Sequence, residues 1–176
     1  MIQILDRKFE LMISHDEIQE KVGALAERLN RDYQGTPPVM IVVLNGAFVF
    51  AADLVRYLDF QPDIQFAKYA SYAGTQSTGK VTEVLGVKCD LTGRDVLIVE
   101  DIVDTGLTMH EVLPLLKDKG AKSVRIATMF QKPSKLRVPL KVDYVAMEID
   151  DDFIVGYGLD YDGLGRNYRD IYKVVD

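Results

Sequence analysis

Cysteine is nearly absent from this chain, because Cys89 is the only cysteine among 176 residues. A single cysteine excludes an intrachain disulfide and a zinc site built on Cys-x-x-Cys pairs, and it fits a reducing compartment. The sequence also lacks a run of about 18 apolar residues and an N-terminal segment with the pattern of a signal peptide. We therefore expect a cytoplasmic protein that does not span a membrane.

The chain also has no excess of positively charged residues. Lys and Arg number 21 against 27 Asp and Glu, which gives a formal net charge of -6 and a sequence pI of about 5.0. Such a chain lacks the basic face that nonspecific binding to nucleic acids or anionic membranes requires. The patterns HExxH, GxSxG, GxGxxG and GxxxxGK[ST] are also absent from the sequence. This argues against metalloprotease, serine-hydrolase, dinucleotide-binding and Walker-type functions.

The composition that is present suits a folded domain. Hydrophobic residues make up 48% and charged residues 27% of the chain, and these proportions are ordinary for a globular protein. A chain of this length can bury about 70% of the surface that its unfolded form exposes. We expect a single domain over residues 1–176, since the sequence contains no repeat or linker that would divide it.

Apolar runs alternate with helical patterns over the first two thirds of the chain, which predicts an α/β fold with a mostly parallel central sheet. Ser14 opens a capping box at the start of the first helical pattern. Helices are predicted at 15–31, 48–58 and 107–119, and strands at 39–44, 64–69, 81–87, 95–100, 123–129, 143–148 and 153–157. The polar residues from 71 to 80 are predicted to form the tip of a long hairpin.

The most informative segment runs from Val96 to Thr108. Four apolar residues predict a strand buried on both faces, and the acids Glu100 and Asp101 follow them. The loop Asp104-Thr105-Gly106-Leu107-Thr108 then leads into the third predicted helix. At such a junction of strand and helix an open α/β sheet binds ligands, and the helix N-terminus can hold a phosphate. Because carboxylates there can bind ribose hydroxyls or a hard cation, the segment predicts a site for a phosphorylated sugar.

This segment resembles the phosphoribosyl-diphosphate signature of the type I phosphoribosyltransferases. The resemblance extends from about residue 10 to the C-terminus and covers four blocks in the family's order, 44–54, 71–79, 96–109 and 141–167. It implies a central, mostly parallel sheet flanked by helices, a flexible hairpin loop and a small hood. Within the family, the chain is most similar to the bacterial enzymes that act on hypoxanthine and guanine.

The resemblance implies a purine-salvage reaction, in which the 5-phosphoribosyl group passes from phosphoribosyl diphosphate to N9 of a 6-oxopurine. Hypoxanthine or guanine would give IMP or GMP and diphosphate, with Mg²⁺ as the cofactor. Glu100 and Asp101 would hold the ribose hydroxyls and help to place Mg²⁺. The 5-phosphate would lie on the following loop, formed by Thr105, Gly106, Leu107 and Thr108.

Two residues are expected to act on the base. By resemblance Asp104 exchanges a proton with N7, although its position also suits the N-cap of the following helix. Lys141, in a Lys-x-Asp pattern, would donate to O6. An ammonium group that only donates would discriminate against the amino group of adenine. Without the resemblance, Lys141 would be interpreted as a solvated lysine before a strand.

The segment from Phe153 to Asp160 also matches the family. By resemblance Phe153 stacks on the purine, the backbone of Ile154 reads its N1 edge, and Asp160 helps to hold Mg²⁺ near the diphosphate. Arg166 matches a family arginine that contacts diphosphate. Without the resemblance, the segment would be a core strand and its exit turn. The three acids at 150–152 are interpreted as a solvated turn rather than a metal site.

Two further loops complete the expected site. Asn45 and Gly46 follow a predicted strand, and the family's diphosphate loop lies at this place. Many relatives have lysine or arginine where this chain has Asn45, so the backbone contacts carry over and the side-chain charge does not. Ser71 and Tyr72 match the beginning of a family loop that folds over the site and keeps water from the ribosyl transition state.

Two alternatives from other functional classes stay open at this point. One is a regulator of the same fold that senses phosphoribosyl diphosphate and binds RNA, which the acidic composition and Asp104 disfavour. The other is a phosphoacceptor signalling domain, although its paired acids would follow the first strand rather than a late one. Because relatives form dimers or tetramers, the resemblance also implies a homodimer or homotetramer.

Overall fold

The computed structural model describes residues 1–71 and 81–175, which form two β-sheets and three α-helices. The helices are α1 (His15–Asp32), α2 (Phe48–Arg56) and α3 (Leu107–Asp118), and a 3-10 turn covers Pro133–Lys135. The larger sheet contains β3 (Val39–Val43), β4 (Asp63–Ser71), β5 (Val81–Leu85), β6 (Asp95–Val103), β7 (Ser123–Gln131) and β8 (Tyr144–Glu148). The smaller sheet contains β1 (Ile2–Ile4), β2 (Arg7–Ile13), β9 (Ile154–Val155) and β10 (Ile171–Val174).

The larger sheet has the order β5-β4-β3-β6-β7-β8, and all neighbouring strands are parallel except β4 and β5. This confirms the predicted α/β fold with a mostly parallel sheet. From β3 the chain passes to β4 on one side, and it later enters β6 on the other side. The carboxyl ends of β3 and β6 therefore flank a topological switch point, where open α/β sheets bind their ligands.

The central strands are buried on both faces, as their apolar sequences predicted. All five residues of β3 are buried, and so are residues 96–100 of β6. One face packs against α1 and α2 through residues such as Leu25 and Leu54, and the other packs against α3 through Val112 and Leu116. Burial of this apolar surface holds the strands rigidly, so the residues at their carboxyl ends have fixed positions.

The smaller sheet is the hood that the resemblance implied. Its strand β2 pairs with β10, so residues near both ends of the chain lie side by side. Phe9 and Val155 are fully buried in its apolar cluster. The sequence analysis did not predict β1, β2 or β10, because these strands lack a continuous apolar run and pair with distant segments.

Most predicted elements are present with shifted ends. Helix α2 ends at Arg56, β6 continues to Val103, and β9 covers only part of the predicted 153–157. Ser14 caps α1, since its hydroxyl accepts a hydrogen bond from the N–H of Glu17 at 3.3 Å. The predicted hairpin joins the antiparallel strands β4 and β5, and its tip at 72–80 lies outside the described residues. No helix in the described part of the chain is long and apolar enough to cross a membrane.

Candidate active site

A cavity of about 260 Å³ lies at the switch point between β3 and β6. The ends of these two strands and the start of α3 form most of its wall. The wall includes six residues that the sequence analysis assigned to the site, namely Glu100, Asp101, Asp104, Thr105, Gly106 and Thr108. Leu107, from the same loop, is not part of the wall, and its side chain is exposed.

Glu100 and Asp101 are adjacent carboxylates at the end of β6. Glu100 is buried, and its Oε1 accepts a hydrogen bond from the N–H of Asp101 at 3.1 Å. Burial raises the pKa of Glu100 well above its ordinary value, and the neighbouring charge of Asp101 adds to this shift. Burial also raises the pKa of Asp101, although hydrogen bonds and the charge of Arg166 oppose the shift. Hydroxyl donors or a hard cation would stabilise the charged forms of both groups.

Asp160, which the resemblance assigned to Mg²⁺, is held by an ion pair. Its Oδ1 lies 2.8 Å from Nη2 of Arg166, and its Oδ2 accepts a hydrogen bond from the N–H of Gly163 at 2.7 Å. Among residues 1–71 and 81–175, no three His, Cys, Asp or Glu side chains come close enough together to hold a metal ion. A Mg²⁺ ion commonly binds through one or two carboxylates together with substrate phosphates, so it needs no such protein cage.

Arg166 connects the turn after β9 with the loop after β3. Its Nη1 donates a hydrogen bond to the carbonyl oxygen of Gly158 at 2.7 Å. Gly158 has a φ of +99° and packs so closely on the carbonyl oxygen of Gly46 that a Cβ would overlap it. Gly46 itself lies against the carboxylate of Asp101, with no room for a Cβ. The predicted diphosphate loop therefore meets Asp101 and the Arg166 turn at one point.

The other predicted loop residues lie at the same edge of the sheet or beyond the described part. Asn45 follows β3 after one residue and is exposed. Ser71 is the last residue of β4, and Tyr72 lies outside the described residues. The binding roles of these three residues stay predictions.

The loop at 104–108 turns tightly into α3. Gly106 holds the N-cap position with a φ of +78°, a conformation that favours glycine, and it has no side chain that could cap the helix. The N–H of Arg137 donates to the carbonyl oxygen of Thr105 at 3.0 Å and braces the loop from outside. The first turn of α3 contains no acidic residue, so nothing there opposes the partial positive charge of the helix N-terminus. Such a terminus suits a phosphate group.

Asp104 lies at the start of this loop, facing the cavity. The alternative in which it caps α3 is wrong, because Gly106 is the N-cap residue. The Oδ1 atom of Asp104 is buried and has no hydrogen-bond partner among the described residues. Its Oδ2 atom lies 3.7 Å from Nζ of Lys132. A buried acceptor without a partner can take a hydrogen bond or a proton from a ligand.

Lys132 is the residue that the sequence analysis missed. It follows β7 directly, and its N–H donates to the carbonyl oxygen of Val103 at 3.0 Å. Its side chain is only 7% exposed, which is rare for lysine, and its Nζ lies 3.7 Å from Asp104 and 3.4 Å from Asp151. The sequence does contain one indication of this role. Lys132 directly follows a buried strand, and Glu100 and Asp101 likewise lie near the end of one.

Lys141 lies on the segment that precedes β8 and is exposed. Its side chain is 87% exposed, and its Nζ lies 3.4 Å from a carboxylate oxygen of Asp143. Asp143 is attached to β7 at Ile126, whose N–H donates to its carboxylate at 3.0 Å. Five residues separate Ile126 from Gln131 at the carboxyl end of β7, a distance of about 16 Å along the strand. This distance favours Lys132 as the donor to the base, and the role of Lys141 stays a prediction.

Phe153 and Ile154 belong to the hood side of the site. Phe153 is 41% exposed, and its ring packs edge-on against Tyr161 with a centroid distance of 5.8 Å. The Arg7 guanidinium lies 5.8 Å from the centre of the Phe153 ring. Ile154 is buried and pairs with Lys173 of β10. The ring of Phe153 is thus held by its neighbours and keeps an exposed surface, as stacking on a flat ligand requires. Stacking by Phe153 and recognition of the N1 edge by Ile154 both stay predictions.

Together, the switch-point cavity, the phosphate-type loop and the buried acids define an α/β protein that binds a phosphorylated sugar. Residues 14–162 match the family described as phosphoribosyl transferase domain, and the chain belongs to this family. Membership of this family rules out the phosphoacceptor alternative.

Similar proteins have narrower names. The chain is 42% identical to the hypoxanthine-guanine phosphoribosyltransferase of Bacillus subtilis over 159 residues, which are 90% of this chain and 88% of that protein. It is 39% identical to the protein of the same name from Streptococcus pneumoniae, with 92% and 89% covered. A crystal structure of a hypoxanthine-guanine phosphoribosyltransferase from Bacillus anthracis superposes with a TM-score of 0.91 at 40% identity, covering 97% of this chain and 100% of that chain.

The contact between Gly46 and Asp101 gives a first prediction. In the variant Gly46→Ala the new methyl group would overlap the Asp101 carboxylate and displace the loop. Because a displacement of about 1 Å at such a site can cost a factor of 10², we expect the affinity for phosphoribosyl diphosphate to fall about 100-fold in titration calorimetry. Gly23→Ala is the control, since its Cβ would meet its nearest atom at 3.9 Å. Equal affinities for both variants would contradict the packing argument.

Proposed function

We propose that this chain transfers the 5-phosphoribosyl group from phosphoribosyl diphosphate to N9 of hypoxanthine or guanine. The products are IMP or GMP and diphosphate, so the reaction belongs to purine salvage. The observation that carries the proposal is the pairing of Asp104, with its unpartnered buried oxygen, and the buried ammonium group of Lys132 beside a phosphate-type loop. The names of the similar proteins support the same activity.

The Asp104–Lys132 pair suits the edge of a 6-oxopurine that carries O6 and N7. These two atoms are neighbours on the base, and the two side chains are 3.7 Å apart. Lys132 has only donors, so it would donate to a keto oxygen at O6 and oppose the amino group of adenine. Asp104 would take the proton from N7 while N9 forms its bond to the ribose. Phe153 would stack on the ring of the base, and the backbone of Ile154 would read its N1 edge.

The phosphoribosyl part would occupy the cavity between β3 and α3. Glu100 and Asp101 would bind the ribose hydroxyls, which suits two buried carboxylates whose pKa values are raised by burial. The 5-phosphate would accept hydrogen bonds from the backbone N–H groups of the loop at 105–108. The diphosphate would lie at the meeting point of Gly46, Asp101 and Arg166, where Asn45 adds no charge.

The carboxylates also fit Mg²⁺, since burial raises the pKa values of Glu100 and Asp101 and a bound cation would stabilise their charged forms. These two residues and Asp160 would hold it, the last from beside the diphosphate. Bound Mg²⁺ would neutralise charge on the diphosphate as it leaves. N9 of the base would attack C1 of the ribose from the side opposite the diphosphate. Ser71 and Tyr72 would begin the loop that excludes water from the oxocarbenium-like transition state.

We also propose that residues 1–176 act as one domain in the cytoplasm, as a homodimer or homotetramer. The RNA-binding regulator is not favoured as an alternative, because the similar proteins are named as transferases over nearly the whole chain. The acidic net charge of -6 is a second argument against binding to RNA.

Asp104→Asn tests the proposed chemistry, because it keeps the shape of the side chain and removes the base. We expect kcat for IMP formation to fall by about 10² to 10⁴, with little change in the KM for phosphoribosyl diphosphate. Asp118→Asn, at the far end of α3, is the matched control. An unchanged kcat would remove the role of Asp104, and a wild-type protein that forms no IMP would refute the function itself.

Lys132→Met and Lys141→Met separate the two candidate lysines. We expect Lys132→Met to lower kcat/KM for hypoxanthine by a factor of about 10², because the variant loses a buried charged donor. The same variant should discriminate less strongly against adenine. Lys141→Met should stay within about twofold of wild type, because its side chain is solvated and is not part of the cavity wall. Initial rates with both bases measure this, and the reverse ranking of the two variants would restore the Lys141 assignment.

A further inference from the structure

The acidic run at 150–152 contains one residue that is not simply solvated. Asp151 contacts two lysines, with Oδ1 at 3.4 Å from Nζ of Lys132 and Oδ2 at 3.1 Å from Nζ of Lys135. Both lysines come from the segment that follows β7, whereas Asp151 follows β8. Asp151 therefore links the segments that follow β7 and β8 through ion pairs.

These contacts produce a row of alternating charges that ends at the proposed site for the base. The order is Asp104, Lys132, Asp151 and Lys135, with separations of 3.7, 3.4 and 3.1 Å. Lys132 is the buried member of the row, because its side chain is 7% exposed, whereas those of Asp104, Asp151 and Lys135 are 43%, 52% and 34% exposed. The buried ammonium group is thus held by the more solvated carboxylate of Asp151.

Within the row, Lys132 is bonded to only one of its two acids. Its Nζ donates a hydrogen bond to Asp151, whereas the 3.7 Å separation from Asp104 is too long for one. A hydrogen bond from Lys135, assisted by one from Lys132 and by the charges of both lysines, lowers the pKa of Asp151, so it remains a carboxylate. Neither oxygen of Asp104 is therefore hydrogen-bonded to Lys132, and Oδ1 has no partner in the part of the chain that the structure describes.

We propose that Asp151 is a positioning residue for recognition of the base, which holds the Lys132 ammonium at the edge of the site and away from a closed pair with Asp104. The inference rests on the proposed function, because it concerns the same two side chains. With no anchor, Lys132 would move the short remaining distance to Asp104 and bind it directly. That pair would occupy the donor meant for O6 and the acceptor meant for N7 at the same time.

We expect an effect on one substrate, since the ion pairs that Asp151 forms among the described residues are with Lys132 and Lys135, and neither lysine belongs to the loop at 104–108. For Asp151→Asn we expect the KM for hypoxanthine to rise about tenfold, while the KM for phosphoribosyl diphosphate stays within about twofold. Asp151→Glu keeps the charge and should restore most of the affinity for hypoxanthine. Lys135→Gln, which loosens the anchor, should change the same constant in the same direction by a smaller factor.

Asp150→Asn is the matched control, because it makes the same change of charge in an exposed neighbour in the same run. Initial rates with each substrate varied in turn, together with thermal melts, separate the outcomes. Wild type without IMP formation would refute the proposed function. An active wild type with an unchanged hypoxanthine KM in Asp151→Asn would overturn the inference alone. A parallel rise of both KM values with a lowered Tm would also overturn it, by showing a merely structural role.

Discussion

The burial of two adjacent carboxylates at the end of β6 is the constraint on which the site depends. Glu100 and Asp101 lie at the switch point between β3 and β6. Gly46 packs so closely against the Asp101 carboxylate that a Cβ at residue 46 would overlap it. Their pKa values are higher in the folded protein than in an unfolded chain, so the folded state binds more protons as both groups begin to ionise. Stability contributed by these groups therefore decreases as the pH rises through and above the ordinary carboxylate range. A ligand that brings hydroxyl donors or a cation offsets this loss.

Two cationic side chains, those of Arg166 and Lys132, border the proposed site. Arg166 lies at the proposed position of the diphosphate, paired with Asp160 and close enough to Asp101 to lower its pKa. Lys132 lies at the proposed position of the base, between Asp104 and Asp151. Each cation is held by a carboxylate and borders the proposed position of one substrate. The protein thus combines an acidic net charge with local positive charge where an anion or a keto oxygen is expected.

Local sequence patterns were sufficient for the parts of the site that lie on one segment. The strand, paired acids, loop and helix from Val96 to Thr108 are consecutive, so periodicity and turn chemistry define them and the structure confirms the architecture. The assignment of Lys141 depends on a motif along the chain, which does not reveal where on the sheet the residue lies, and it stays a prediction. Lys132 required knowledge of where β7 ends, and the hood required pairing between β2 and β10 from opposite ends of the chain. These features arise from tertiary packing rather than from local preference.

The central claim is that one site holds a phosphoribosyl group and selects a 6-oxopurine. Initial rates of nucleotide formation from hypoxanthine, guanine, xanthine and adenine with phosphoribosyl diphosphate, with and without Mg²⁺, test it most directly. The account predicts Mg²⁺-dependent nucleotide formation from oxopurines and none from adenine, because the lysine at the site can only donate hydrogen bonds. Turnover of adenine at a comparable rate, or no turnover of any base, would contradict it.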